Sequence, residues 1–153
     1  GLGWLKTLLG GRAKIMRGDR TPRICRGAPA CAPPPIPGTG ENGQNIYFTN
    51  SLLAGDPTWA RTTVVHELAH MIDWQSNIAY PPLDTTGIPQ TIFGNFSAAW
   101  HGAATSAYAR CLLCVQDWER WAEAVVAFTY GTPSPLTTGE ADIMRRLLSG
   151  MGW

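Results

Sequence analysis

The hydrophobic positions fall into helical and strand-like stretches separated by long turn-rich segments. From Pro57 to about Ser76 the apolar residues recur at a helical period, and Asp56-Pro57 is a good start, with an N-cap carboxylate and a proline in the first turn. On a helical wheel, Val65, Leu68 and Ile72 gather on one side, while His66, His70 and Asp73 form a stripe on another. A second helix is predicted over Asp117–Tyr130, stopped by Gly131, with Trp118, Trp121, Ala122, Val125 and Phe128 toward the core. Glu119, Glu123, Val126 and Tyr130 share its other face. A short last helix is expected after Gly139, carrying Ile143, Met144, Leu147 and Leu148, and the alanine-rich run 97–109 is read as helical.

Elsewhere the pattern changes. Asn45-Ile-Tyr-Phe-Thr-Asn50 has strand composition. Residues 26–45 and 77–96 are rich in proline and glycine and are read as loops. Residues 2–17 are apolar with interspersed basic positions, and a packed N-terminal helix, broken or bent at Gly10-Gly11, is favoured over a membrane-surface helix. With no internal repeat, residues 1–153 are read as one α+β domain, mainly helical with a small sheet.

Composition narrows the function classes. The net charge is +1 and the charged fraction 15%. These values give no electrostatic case for nucleic acid or an acidic membrane surface. No apolar run is long enough to span a bilayer. Seven tryptophans support a core despite 17 glycines and 12 prolines. The sequence starts at Gly1, so a processed or trimmed product is expected. The four cysteines form two local pairs, Cys25 with Cys31 and Cys111 with Cys114. Disulfides and an oxidising, extracellular compartment are the favoured reading. Three connectivities remain open, as do free thiols and a second, structural zinc.

The chemistry concentrates in His66-Glu67-Leu68-Ala69-His70. Two imidazoles four apart on a helix can grip one metal ion, and the glutamate between them, offset by one step, can reach a water on that metal. A structural pair of core histidines with a surface glutamate is the bland alternative. Asp73 would either orient a ligand or stand as a surface carboxylate near the helix end.

A catalytic zinc site needs a third protein ligand. A third histidine ten residues after the first is absent, since that position is Ser76, and no Gly-Thr-x-Asp segment exists. A glutamate on a second helix is the remaining pattern. Glu119 and Glu123, one turn apart, would repel each other unless a cation or a histidine N–H sat nearby.

His66-Glu-Leu-Ala-His70-Met-Ile-Asp73, Tyr108-Ala-Arg110 and Glu119-Arg-Trp-Ala-Glu123-Ala together resemble the catalytic domain of the anthrax lethal factor-like metallopeptidases, of the gluzincin clan. The resemblance spans roughly residues 46–130. It implies a small zincin-like domain with His66, His70 and Glu119 as zinc ligands, Glu67 as general base and Tyr108 as oxyanion donor. It also implies Glu123 as acceptor for a ligand-histidine N–H. The sequence departs from the family where Tyr-Gly becomes Tyr-Ala and where Cys111-x-x-Cys114 lengthens the approach to Glu119. His101 is the rival for the tyrosine's role or for the third ligand.

The expected function is hydrolysis of peptide bonds in a protein or peptide substrate through a zinc-bound water, by a secreted enzyme. The strand at 46–50 would be the edge against which an extended substrate pairs. A non-catalytic toxin- or phage-associated module that keeps the zinc for stability is the alternative. A membrane-active role, resting on residues 2–17, is a third.

Overall fold

A computed structural model describes residues 14–78, 117–132 and 135–149. Tyr108, His101, Cys111, Cys114, the predicted helix 97–109 and most of the loop 77–96 lie outside them. The described part is α+β, with a small mixed sheet on one side of a long helix and a helical layer on the other. The strands are β1 (Lys14–Gly18), β2 (Ala30–Cys31) and β3 (Asn45–Thr49). The helices are α1 (Asn50–Ala54), α2 (Pro57–Ile78), α3 (Asp117–Tyr130) and α4 (Thr138–Ser149).

β3 is the central strand. β1 lies parallel to it, with Ile15 opposite Ile46, and β2 lies antiparallel, with Ala30 opposite Phe48. This corrects the expectation that residues 46–50 form a free edge. Lys14–Gly18 is a strand, which corrects the end of the helix expected over residues 2–17; residues 2–13 lie outside the described residues. β2 falls inside the segment read as loop. A disulfide joins Cys25 to Cys31 across a 3-10 turn and β2, with Cα atoms 5.7 Å apart.

Local chemistry explains the helix ends. The Asp56 carboxylate accepts the Trp59 N–H at 2.7 Å and so caps α2. Thr49 caps α1 by accepting from the Leu52 N–H. Gly131, at φ 69°, closes α3 with its N–H on the Ala127 carbonyl. α4 begins at Thr138, one residue before Gly139, because Thr137 and Glu140 cap it reciprocally.

α2 is buried on two sides. Leu68, Met71 and Ile72 pack on Ile46 and Phe48 of the sheet. Val65 and Ala69 turn the other way and pack on Trp121, Ala122 and Val125 of α3, with Met144 of α4 below. Val65 is therefore not on the same face as Leu68 and Ile72, as the helical wheel grouped them. The helix is a middle layer that packs on the sheet with one face and on α3 with the next, and His66, His70 and Asp73 lie on the stripe beside them. On α4, Met144 is buried while its neighbour Ile143 is exposed.

Candidate metal centre

The polar stripe of α2 meets the carboxylate face of α3. His66 and His70 lie one turn apart on α2, and their rings stand nearly perpendicular with centroids 4.7 Å apart. Glu119 and Glu123 lie one turn apart on α3. The Trp121 indole N–H donates to the Ala69 carbonyl at 3.1 Å, which ties α3 to α2 between the two histidines. That bond fixes which turn of α3 faces which turn of α2, and so the reach of both glutamates.

Three ligand atoms converge. Glu119 Oε2 is 3.0 Å from His66 Nε2 and 3.3 Å from His70 Nε2, and the two Nε2 atoms are 3.1 Å apart. Tetrahedral zinc at 2.0–2.1 Å from its ligands would hold them about 3.3 Å apart. His66 Nδ1 sits 2.9 Å from Glu123 Oε1. With Nδ1–H donating to Glu123, the neutral His66 ring points a lone pair at the same space as His70 and Glu119. Three electron-rich atoms so close are stable only around a cation. The donor set therefore fits a divalent metal ion.

The electrostatics point the same way. Burial works against a charged His66, but its hydrogen bonds to the Glu119 and Glu123 carboxylates and the charges of nearby Glu67 and Glu119 outweigh it and raise the imidazole to about 10. Burial also disfavours the Glu119 carboxylate, yet hydrogen bonds and charge from His66 and His70 hold it well below the ordinary carboxylate range. The site demands positive charge.

His66, His70, Glu119 and Glu123, which their spacing in the sequence groups as two one-turn pairs, are brought together by α2 and α3. Glu67 is buried beside them. Asp73 is fully buried, which removes the surface-carboxylate reading. Tyr108 and His101 lie outside the described residues.

Two features were not anticipated. Trp74 stacks on His70, with centroids 5.9 Å apart and planes 11° from parallel, and its N–H donates to the Ala32 carbonyl at 2.9 Å. The 66–70–74 spacing on one helix face carried that signal. The second feature is a roof over the triad. Ala28, two residues before β2, and Ala30, its first residue, line two hollows of about 590 and 520 Å³, and His66 and Glu67 line both. One hollow runs toward Trp59 and Thr63, and the other toward Trp74 and Trp118. Nothing in the local sequence announces this roof, because its placement comes from pairing with a strand fourteen or more residues further along.

No family model, curated protein or solved structure matches this protein. Among the described residues, no helix is long and apolar enough to cross a membrane.

Proposed function

We propose that the protein is a zinc-dependent endopeptidase of gluzincin type, with His66, His70 and Glu119 as the ligands and Glu67 as general base. One observation carries the reading: the His66–His70–Glu119 triad lines an open hollow that Glu67 also lines. A structural metal site is closed by protein on all sides, whereas a catalytic one keeps a position open. The two histidines and one carboxylate suit zinc by ligand type.

When bound there, zinc supplies Lewis acidity that polarises the scissile carbonyl and lowers the pKa of the attacking water. Glu67, displaced one step around the helix from the ligands, takes a proton from that water and delivers it to the leaving amine nitrogen. Glu123 holds the Nδ1 proton of His66 and fixes the tautomer that presents Nε2 to the metal. Trp74 orients the His70 ring by stacking. Tyr108, or His101 in its place, supplies the hydrogen bond to the tetrahedral oxyanion.

Two hollows that share Ala28, Ala30, His66 and Glu67 would together form a cleft along β2 suited to an extended peptide. That strand has one paired neighbour among the described residues, so its other edge can receive a substrate strand. The role expected of residues 46–50 thus passes to residues 28–31. The Cys25–Cys31 disulfide supports a secreted enzyme.

Digestion of casein and of a mixed peptide library tests the proposal. The zinc-loaded protein should cleave, and a chelator should stop it. Glu67→Gln should retain zinc by metal analysis while turnover falls by about 10²–10⁴-fold. A Glu67→Gln protein as active as the parent, or a zinc-loaded parent that cleaves nothing, would favour the non-catalytic module.

A further inference from the structure

We infer that Arg26 is a specificity residue whose guanidinium binds a carboxylate of the substrate in the Trp118 half of the cleft. The inference deepens the peptidase reading and rests on it. Arg26 lines the same hollow as His70, Trp118 and Glu119. In both hollows it is the lone arginine or lysine among the described lining residues, against the three carboxylates Glu67, Glu119 and Glu123. Among the described residues no carboxylate forms an ion pair with it.

The backbone supplies an independent argument. Arg26 has φ 51° and ψ 31°, and is the one non-glycine in the left-handed region among the described residues. Residues with a Cβ are disfavoured there, and asparagine or glycine is the common solution. Gly27, the very next residue, shows that solution at φ 83°. The turn needs the conformation, because Arg26 and Gly27 are the two central residues of the turn that brings the Ala28 N–H back to the Cys25 carbonyl. It does not need the guanidinium. Strain kept for a side group with no structural partner is the pattern expected of a binding group. The adjacent Cys25–Cys31 disulfide pins the backbone turn from which the Arg26 side chain springs.

A guanidinium matches a carboxylate through two parallel N–H donors. An acidic substrate side group and the free carboxyl terminus of a peptide both present that chemistry. The neighbouring carboxylates of the cleft would repel either one without Arg26.

The test uses zinc-loaded Glu67→Gln protein, which binds without turnover, and a series of blocked octapeptides in which Glu replaces Gln at each position in turn. A parallel pair differs only in a free or amidated carboxyl terminus. One position, or the free terminus, should bind about tenfold more tightly than its neutral counterpart. Adding Arg26→Gln should erase that ratio, and Arg26→Glu should turn it into a preference for Lys. Arg26→Gly should raise Tm by about 3 °C while erasing the ratio, whereas a purely structural Arg26 would lower Tm when removed. The inference is overturned if no carboxylate gains even twofold, or if the gain survives Arg26→Gln. Turnover of the same peptides by the parent protein separates the two claims. Cleavage without carboxylate preference removes Arg26 alone, and an Arg26-dependent preference without cleavage removes the peptidase.

Discussion

A site assembled around positive charge should hold a proton when it holds no metal, and the two should compete. In the metal-free protein His66 is raised to about 10, chiefly by Glu119 and Glu123 working against burial. Zinc needs the Nε2 lone pair, so binding must displace that proton. At pH 7 only about one molecule in a thousand presents the free lone pair, a handicap of about 4 kcal/mol on zinc affinity. As pH rises the handicap shrinks. Apparent zinc affinity should therefore increase about tenfold per pH unit between pH 7 and 9, and flatten above about pH 10. Competition against a chromophoric chelator, corrected for the chelator's own protonation, measures the slope. Calorimetry in two buffers of different ionisation enthalpy counts the proton, and about one should be released at pH 8. A flat affinity from pH 7 to 9 with no proton released would refute the reasoning, since the carboxylates would then not be polarising His66. The same shift gives the metal-free fold a pH dependence. Because the folded pKa lies above the ordinary value of about 6.5, its stabilisation is complete below that pH and is lost as pH rises through about 10.

Further expectations follow from single contacts. Glu119→Ala should abolish stoichiometric zinc by metal analysis, whereas Glu123→Ala should keep the ion with affinity weakened about 10–100-fold; the reverse order would exchange their roles. Trp121→Phe, which removes the N–H on the Ala69 carbonyl in a fully buried position, should cost about 1–3 kcal/mol in denaturant unfolding and also weaken zinc, because the register of α3 on α2 rests on that bond. Paired Cys25→Ser and Cys31→Ser changes should lower stability by about 2 kcal/mol through the released six-residue separation, and raise KM more than they change zinc content, since the disulfide anchors the roof and not the ligands.

What could be read from the sequence divides along the range of the interactions. α2 and α3 were legible because a helix is written in neighbours: Asp56-Pro57, the 3.6-residue period and Gly131 are all local signals. The pairing of two one-turn motifs, His66 with His70 and Glu119 with Glu123, was legible because each would be unfavourable without the other. β1 and β2 were not. Lys14–Gly18 is exposed along nearly its whole length and has no alternation to betray a strand. Ala30–Cys31 is too short to show any period and exists because β3 and the disulfide hold it. Val65 was assigned to the wrong neighbour for a related reason: periodicity reveals that a face is apolar but not that two separate layers divide it. The cap at Thr137 and Glu140, by contrast, was written locally as T-x-x-E.

Trp74 carries a consequence for how this protein can change over generations. One indole stacks on a ligand ring and also props the Ala32 carbonyl of the roof, and its Cβ lies against the turn at Gly43, where an added methyl would sit 3.1 Å away. On the proposed reading, a single residue therefore bears both on the orientation of His70 and on the segment that leads out of β2. A lineage that altered Trp74 to admit a bulkier substrate would disturb metal binding in the same step. Tuning should instead accumulate at Trp59, Thr62 and Thr63 on the opposite side of the triad, where the α2 surface is free of such double duty. Trp59 is already 49% exposed there.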